Sequence, residues 1–256
     1  MEKVFIKNRH DQKIAVMIEK PDKPVGLAFV MHGLGGFKEH PHVRGFIQSF
    51  LDNNYIVISF DTTNTFGESG GDYGDATVTN YYEDLEEVIN WGKDQEWYQE
   101  PFILCGHSLG GICTALYAEN YPDKVKALAP ISTVVSGKLS LQAYQPGEME
   151  DWEKTGWRTT VGYSSGIVKK LKWSHVRDRL KYDLLKKADK LTMPTLIIVG
   201  ELDESCPVKH QEILFNAIPA VRKELHIIKG APHTWREEKH LVDSYNIINA
   251  WLKSLT

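Results

Sequence analysis

The chain has 256 residues, of which 42% are hydrophobic, and carries a formal net charge of −4. Such a chain can bury one large core, and its negative charge argues against nucleic acid as a partner. The first residues lack a basic, apolar signal pattern, and no apolar run approaches the length of a membrane span. We therefore expect a soluble, cytoplasmic protein without a membrane span, and a homodimer remains open.

Segments typical of strands and helices alternate along most of the chain. An opening antiparallel hairpin is predicted over residues 3–7 and 13–19. Further strands are predicted over residues 26–31, 55–60, 101–105, 125–131, 195–200 and 224–228, and helices over about 42–53, 77–93 and 240–252. Parallel strands joined by helices predict an α/β fold with a mostly parallel, doubly wound sheet.

A Gly-x-Ser-x-Gly motif, Gly106 to Gly110, lies between a predicted strand and helix-forming residues. This context is typical of a nucleophile elbow. A serine on so tight a turn needs glycines two residues before and after it, because the backbone passes very close there. The turn exposes the Ser108 hydroxyl and directs the amide of Leu109 toward the same point. The motif therefore predicts a nucleophile and one oxyanion donor.

A serine nucleophile needs a base and an acid that orients the base. The strand over residues 195–200 ends in a loop that contains Glu201, Asp203 and Glu204. Active sites of open α/β sheets collect at this end of the strands. Asp203 is the predicted acid, and the two glutamates remain alternatives.

The predicted base is His233, which follows the strand over residues 224–228 in a loop that can reach Ser108. His226 lies within that strand and is interpreted as a packing residue. His107, next to the nucleophile, is interpreted in the same way.

These motifs resemble the serine α/β-hydrolase superfamily, and within it the lidded carboxylesterases and lipases that include cinnamoyl (feruloyl) esterases and monoacylglycerol lipases. The resemblance covers nearly the whole chain and includes the Asp203 loop closed by Pro207, the Gly-x-x-His that ends at His233, and His32-Gly33-Leu34-Gly35-Gly36. It implies an α/β-hydrolase fold and a second oxyanion donor at the backbone amide of Leu34. His32 is expected to order this loop rather than to transfer protons.

One loop departs from the pattern of these enzymes. Their loop after the fourth strand usually reads Asp-x-x-Gly-x-Gly-x-Ser, whereas residues 61–69 lack the first glycine and are one residue longer. Asp61 begins this loop and could be mistaken for the acid of the triad. It precedes Ser108, and the order Ser, Asp, His favours Asp203.

Residues 133–191 interrupt the alternation, so we expect residues 1–132 and 192–256 to form the core and the segment between them to form a lid. An insertion of roughly 60 residues over the carboxyl end of the sheet would provide walls above the nucleophile. Its aromatic residues would either line a substrate channel or hold the lid's own core. They are Tyr144, Trp152, Trp157, Tyr163 and Trp173.

The same segment is basic, with twelve Lys/Arg and seven Asp/Glu over residues 138–190, a net of +5. Two interpretations remain open. The basic residues are either the solvated face of lid helices or an attraction for an acidic or phosphorylated substrate or an anionic lipid surface. They include Lys169, Lys170, Lys172, Arg177, Arg179 and Lys181.

Metal and disulfide sites have little support. Cys105, Cys113 and Cys206 are odd in number and not spaced for zinc, and the His40 and His42 pair lacks neighbouring ligands in the sequence. We expect no metal and no other cofactor.

Together the motifs and the resemblance predict a carboxylic ester hydrolase that forms an acyl-enzyme on a small-molecule ester, with small-to-medium or aromatic, cinnamoyl-type acyl groups. A monoacylglycerol lipase, thioesterase or acyltransferase would use the same triad and is the alternative. A non-catalytic receptor on this fold is disfavoured because every triad residue is present.

Overall fold

The computed structural model describes residues 1–161 and 168–255. Within them the strands are β1 (Glu2–Lys7), β2 (Lys13–Glu19), β3 (Gly26–Met31), β4 (Tyr55–Asp61), β5 (Phe102–His107), β6 (Val125–Ile131), β7 (Trp157–Val161), β8 (Val168–Lys172), β9 (Thr195–Gly200) and β10 (Lys223–Ile228). The helices are α1 (Pro41–Asp52), α2 (Val78–Gly92), α3 (Leu109–Asn120), α4 (Gly137–Ser140), α5 (Glu148–Thr155), α6 (Ser174–Arg179), α7 (Val208–Ala217) and α8 (Glu238–Ser254).

The central sheet has eight strands in the order β1-β2-β4-β3-β5-β6-β9-β10. β2 pairs antiparallel with both β1 and β4, and the other neighbours in this sheet, in the order β4-β3-β5-β6-β9-β10, run parallel. This is the mostly parallel, doubly wound sheet that the sequence predicts. The chain leaves β3 toward one edge and returns at β5 to build toward the other. Ligands of open α/β sheets bind at such a switch point, beyond the carboxyl ends of the two strands.

Both faces of the sheet are buried, as β3 illustrates. Leu27, Phe29 and Met31 pack in the cluster that also contains α2 and α3, while Ala28 and Val30 pack toward α1 and α8. Since side chains alternate between the faces of a strand, a strand covered on both sides needs a continuous apolar sequence. This requirement explains why the sequence predicts the bounds of β3 correctly.

The predicted strands and helices of the core are confirmed to within two residues at their ends. Two details differ. The sequence does not predict the helix α7, because its apolar residues form only a weak stripe and Leu214 alone among them is buried. His226 is not a packing residue, because β10 is an edge strand and the half-exposed imidazole contacts the carboxylate of Glu224 at 2.8 Å.

Residues 133–191, which we call the inserted segment, contain α4, α5, α6 and the antiparallel pair of β7 and β8. The expected helical placement of Lys169, Lys170 and Lys172 is wrong, because all three lie on β8. Leu171 between them is buried, an alternation that suits a strand better than a helix. Tyr163 lies outside the described residues.

The inserted segment packs directly on the α2 side of the core. Trp152 is 1% exposed, belongs to the same apolar cluster as α2 and α3, and donates a hydrogen bond from Nε1 to the carbonyl of Leu171 at 3.0 Å. Asp178 accepts hydrogen bonds from the amide and hydroxyl of Thr79, at 2.9 and 2.6 Å. The segment is therefore anchored by apolar packing and by buried polar contacts. No helix among the described residues is long and apolar enough to cross a membrane.

Candidate active site

Ser108 occupies a sharp turn between β5 and α3. Its φ of 54° lies in the left-handed region, which costs energy for a residue other than glycine. A side chain at Gly106 would collide with the carbonyl of Gly110, and one at Gly110 would collide with the carbonyl of His32. The amide of Ser108 donates to the carbonyl of Ile131 at 2.9 Å, which ties the turn to β6. The backbone therefore holds the serine in a strained position, as the motif predicts.

The structure brings His233 and Asp203 to Ser108. The Nε2 atom of His233 lies 3.0 Å from the Ser108 Oγ, and its Nδ1 lies 2.8 and 3.0 Å from the two carboxylate oxygens of Asp203. Asp203 is 4% exposed and also accepts hydrogen bonds from the amides of Ser205 and Cys206. Burial alone would raise the pKa of the Asp203 carboxyl, but the contacts with His233 and these hydrogen bonds outweigh burial and lower it. The carboxylate form is thus favoured beside the imidazole.

Neither alternative acid reaches His233. Glu201 accepts a hydrogen bond from the amide of Gly230 at 2.7 Å, and Glu204 is exposed at the surface. Asp61 is fully buried, but it faces Lys38, whose Nζ lies 2.8 Å from its carboxylate. Of these four acids, Asp203 has the geometry of a triad member.

The Lys38–Asp61 ion pair organises the loop that departs from the family pattern. Asp61 also accepts hydrogen bonds from the amides of Lys38 and Glu68, at 2.9 and 2.8 Å. Burial alone would lower the pKa of Lys38, but its hydrogen bonds to Asp61 and two glutamates raise it well above its ordinary value. A side chain at Gly67 would collide with the Asp61 carboxylate, so this glycine is required for the pair to form. The loop therefore has a structural role, and its carboxylates compensate the charge of Lys38.

Two neutral histidines support the site. His107 donates from Nε2 to the carbonyl oxygen of His233 at 3.0 Å, and burial lowers its pKa to about 3. His32 contacts the carbonyl of Gly33 through Nδ1 at 2.8 Å and accepts from the amide of Thr62 through Nε2 at 3.0 Å. Burial also lowers the pKa of His32. These contacts agree with His32 ordering its loop, and they give His107 a contact with the His233 backbone that the sequence did not predict.

Leu34 and Leu109 line the same cavity as Ser108. Neither amide donates a hydrogen bond to another described residue. Leu109 is the first residue of α3, so its amide belongs to the positive end of a helix dipole. Unpaired amides on residues that line the cavity of a serine hydroxyl are candidate donors to an oxyanion.

A cavity of about 230 Å³ adjoins Ser108 on the side of the inserted segment. Leu34, Leu109 and Cys206 supply part of its wall from the core, and Val134, Ser140, Ala143, Tyr144, Arg158, His175 and Arg179 supply part from the inserted segment. None of the tryptophans of the segment lines it. Of the two interpretations, lining the cavity therefore fits Tyr144 and none of the tryptophans, and Trp152 packs instead in the apolar cluster shared with α2 and α3.

One interpretation places the basic residues of the inserted segment on a solvated helix face. Two of them do not lie on such a face. Arg179 is 6% exposed and lines the cavity. Lys169 lines a second cavity of about 100 Å³ that also borders Ser108, and burial lowers the pKa of Lys169. Arg179 follows the buried Val176 by three positions in α6, the spacing of residues on one helix face, and this signal could have revealed its burial.

The three cysteines are buried thiols. Burial raises the pKa of Cys206, which borders the cavity, well above its ordinary value, so it is not a thiolate nucleophile. Among the described residues, no cluster of three or more His, Cys, Asp or Glu could hold a metal ion.

Comparison with known proteins shows the family of the chain. The sequence matches the profile of the hydrolase family described as serine aminopeptidase, S33, over residues 22–177 and 170–240. The chain belongs to this family. Among its relatives is a thermostable monoacylglycerol lipase of Bacillus sp. (strain H-257), 24% identical over 220 residues that cover 82% of this chain and 83% of the lipase. The chain is thus a hydrolase of the esterase and lipase type.

Solved structures share the fold across the full chain. The Est1E protein of Butyrivibrio proteoclasticus with bound ferulic acid is 21% identical with a TM-score of 0.81, and the match covers 98% of each chain. Mouse α/β-hydrolase domain-containing protein 10 is 20% identical with a TM-score of 0.82 over 100% of both chains. These likenesses establish the α/β-hydrolase fold.

Proposed function

We propose that the protein hydrolyses carboxylic esters with Ser108 as nucleophile, His233 as general base and Asp203 as the orienting acid. The observation that supports this most strongly is the continuous contact from Asp203 through both nitrogens of His233 to the Ser108 Oγ, at 2.8 and 3.0 Å. A serine hydroxyl is a weak nucleophile unless a neighbouring base removes its proton. The contact provides that base in the required orientation.

The proposed reaction proceeds in two acyl transfers. His233 accepts the Ser108 proton as the hydroxyl oxygen attacks the ester carbonyl, and the amides of Leu34 and Leu109 donate to the oxyanion. His233 then returns the proton to the leaving alcohol, which leaves an acyl-serine. Water repeats the attack with His233 as base and releases the acid. Asp203 keeps the imidazole Nδ1 protonated and stabilises the imidazolium in both halves of the reaction.

The inserted segment acts as a lid that selects the acyl or alcohol group in this proposal. A cavity of about 230 Å³ is small beside typical ligand pockets, and it suits small-to-medium esters. Tyr144 offers one flat wall for a planar group. Together with the likeness to a ferulic-acid-binding protein, this wall keeps a cinnamoyl-type ester in the set of candidate substrates.

Relatives favour a second candidate within the same chemistry. Curated relatives include monoacylglycerol lipases and a mitochondrial palmitoyl-protein thioesterase of mouse, 25% identical over 186 residues. A thioester or a monoacylglycerol would react through the same triad, and an acyltransferase would replace water with another acceptor. The choice among them depends on the fit of the two ester halves to the cavities.

A substrate screen on purified protein tests the proposal. Nitrophenyl, acyl-glycerol, thioester, cinnamoyl and amide substrates should be compared at equal concentration, with Ser108→Ala as the matched control. We expect hydrolysis of oxygen esters that disappears in the control. A folded wild-type protein with no activity on any ester, or a Ser108→Ala variant with equal activity, would contradict the proposal.

A further inference from the structure

Arg179 is a buried cation in the wall of the cavity next to Ser108. It is the last residue of α6 and is 6% exposed. Arginine side chains are rarely buried this completely unless a carboxylate compensates their charge, because removing a charge from water is costly. The groups around Arg179 therefore decide whether its charge is compensated within the protein.

The polar contacts of Arg179 leave its charge unpaired. Its Nη2 donates to the Tyr144 hydroxyl at 3.1 Å, and its buried Nε has no hydrogen-bond partner. The guanidinium carbon lies 5.4 Å from the centre of the Tyr144 ring. Stacking on an aromatic ring orients a guanidinium but does not neutralise it. Among the described residues, no Asp or Glu forms an ion pair with Arg179.

The carboxylates near Arg179 form their contacts with other residues. Asp178, the preceding residue, accepts hydrogen bonds from Thr79 and contacts Lys181 at 2.9 Å. Glu148 is paired with Arg158, the other arginine of the cavity wall, at 2.7 Å. Arg158 is thus compensated, whereas Arg179 is not.

The other titratable groups of the wall do not supply a negative charge. Burial, with Arg179 nearby, lowers the pKa of His175 to about 3, so the imidazole is neutral and contacts the carbonyl of Ala76 through Nδ1 at 2.9 Å. Burial raises the pKa of the Cys206 thiol, which is therefore neutral. None of the described residues that line the cavity is an Asp or a Glu. The cavity beside the nucleophile is therefore cationic.

We propose that the ester substrate of this enzyme carries a carboxylate that pairs with Arg179 in this cavity. The inference rests on the proposed function, and it narrows the substrate class from small esters to anionic ones. The carboxylate could belong to the acid half of the ester, as in a monoester of a dicarboxylic acid, or to the alcohol half, as in an O-acylated hydroxy acid. In either half it would provide the paired charge that Arg179 lacks.

Two isosteric pairs of esters test the proposal. Monoethyl succinate and ethyl levulinate differ by a carboxylate or a methyl ketone in the acid half, and O-acetylglycolate and acetoxyacetone differ in the same way in the alcohol half. Hydrolysis is followed by acid release at constant pH. We expect kcat/KM to be about 10- to 100-fold higher for the charged member of one pair, the effect of a buried charged hydrogen bond. The pair that responds identifies the half that enters the cavity.

Variants of α6 separate charge recognition from structure. Arg179→Met should lower kcat/KM for the charged ester at least tenfold more than for its ketone, and Arg179→Lys should keep part of the preference. Arg177→Met is the matched control, since Arg177 is exposed on the same helix and should leave both rates unchanged. Equal losses on both esters in Arg179→Met would assign Arg179 a structural role and overturn the proposal.

The wild-type protein provides a test that does not depend on a buried substitution. Hydrolysis of both members of each pair at equal rates, lost in Ser108→Ala, would overturn the carboxylate preference and leave the proposed ester hydrolysis standing. No hydrolysis of any ester by folded wild-type protein would overturn both.

Discussion

The core and the inserted segment differ in how directly the sequence determines them. In the core, local constraints fix the catalytic geometry, since a tight turn requires Gly106 and Gly110, and a strand covered on both faces requires a continuous apolar run. In the inserted segment, short elements gain their positions from contacts with the core, such as those of Trp152 and Asp178. In the proposed function, the core provides the reaction, and the segment provides walls that choose its substrate.

The largest expected effect tests the core directly. Ser108→Ala should remain folded and lose about 10⁴-fold or more in esterase activity, because no other nucleophile replaces the hydroxyl. The measurement combines nitrophenyl ester hydrolysis with a circular dichroism spectrum. More than a tenth of the activity in a normally folded variant would show that the elbow does not carry the chemistry.

The acid of the core should give the next largest effect. Asp203→Asn should keep the fold but lower turnover about 10²- to 10⁴-fold, because the imidazole loses its orientation and the imidazolium its stabilisation. Glu201→Gln and Glu204→Gln are matched controls in the same loop and should be mild. If a glutamate variant loses most of its turnover while Asp203→Asn keeps normal turnover, that glutamate and not Asp203 is the acid of the triad.

The inserted segment should affect selectivity more than rate. Removing it whole would expose apolar core surface, because Trp152 and Leu184 belong to the cluster shared with α2 and α3. A single substitution is cleaner. Ala143→Leu narrows the cavity and should lower kcat/KM for octanoyl esters about tenfold more than for acetyl esters. Gln145→Leu, at an exposed position, is the control. An unchanged acyl preference in Ala143→Leu would show that the inserted segment does not determine specificity.

The smallest effect concerns stability where α3 meets the inserted segment. Burial raises the pKa of Glu119 to about 8, although the nearby Lys187 opposes the shift. A carboxyl with a raised folded pKa contributes stability that is complete below its unfolded pKa and is lost as pH rises toward the folded value. Between pH 5 and pH 8, wild-type protein should therefore lose on the order of 2 kcal/mol more stability than Glu119→Gln.

Urea unfolding at both pH values measures this difference. Glu153→Gln, at an exposed position of the inserted segment, should follow the wild-type dependence on pH. If the stability of wild-type protein and that of Glu119→Gln depend on pH in the same way, Glu119 ionises in the folded state at little cost in free energy.

The sequence predicts the site residues that depend on local pattern. Ser108 follows from its glycines and from the change of strand to helix, and Asp203 and His233 follow from their places after buried strands. His107 and Arg179 acquire their contacts through tertiary packing, and the sequence signals only the burial of Arg179, through its spacing from Val176. The basic residues of β8 suggest a solvated helix face, while the alternation around the buried Leu171 indicates the strand that the structure has.

The central claim, that the elbow serine is the activated nucleophile, is tested most directly by covalent labelling. Purified protein is treated with a fluorophosphonate, and the adduct is located by intact mass and peptide mapping. The proposal predicts one adduct, on Ser108, that forms far more slowly in His233→Ala and is absent from Ser108→Ala. An adduct on another residue, or equal labelling of the folded Ser108→Ala variant, would contradict it.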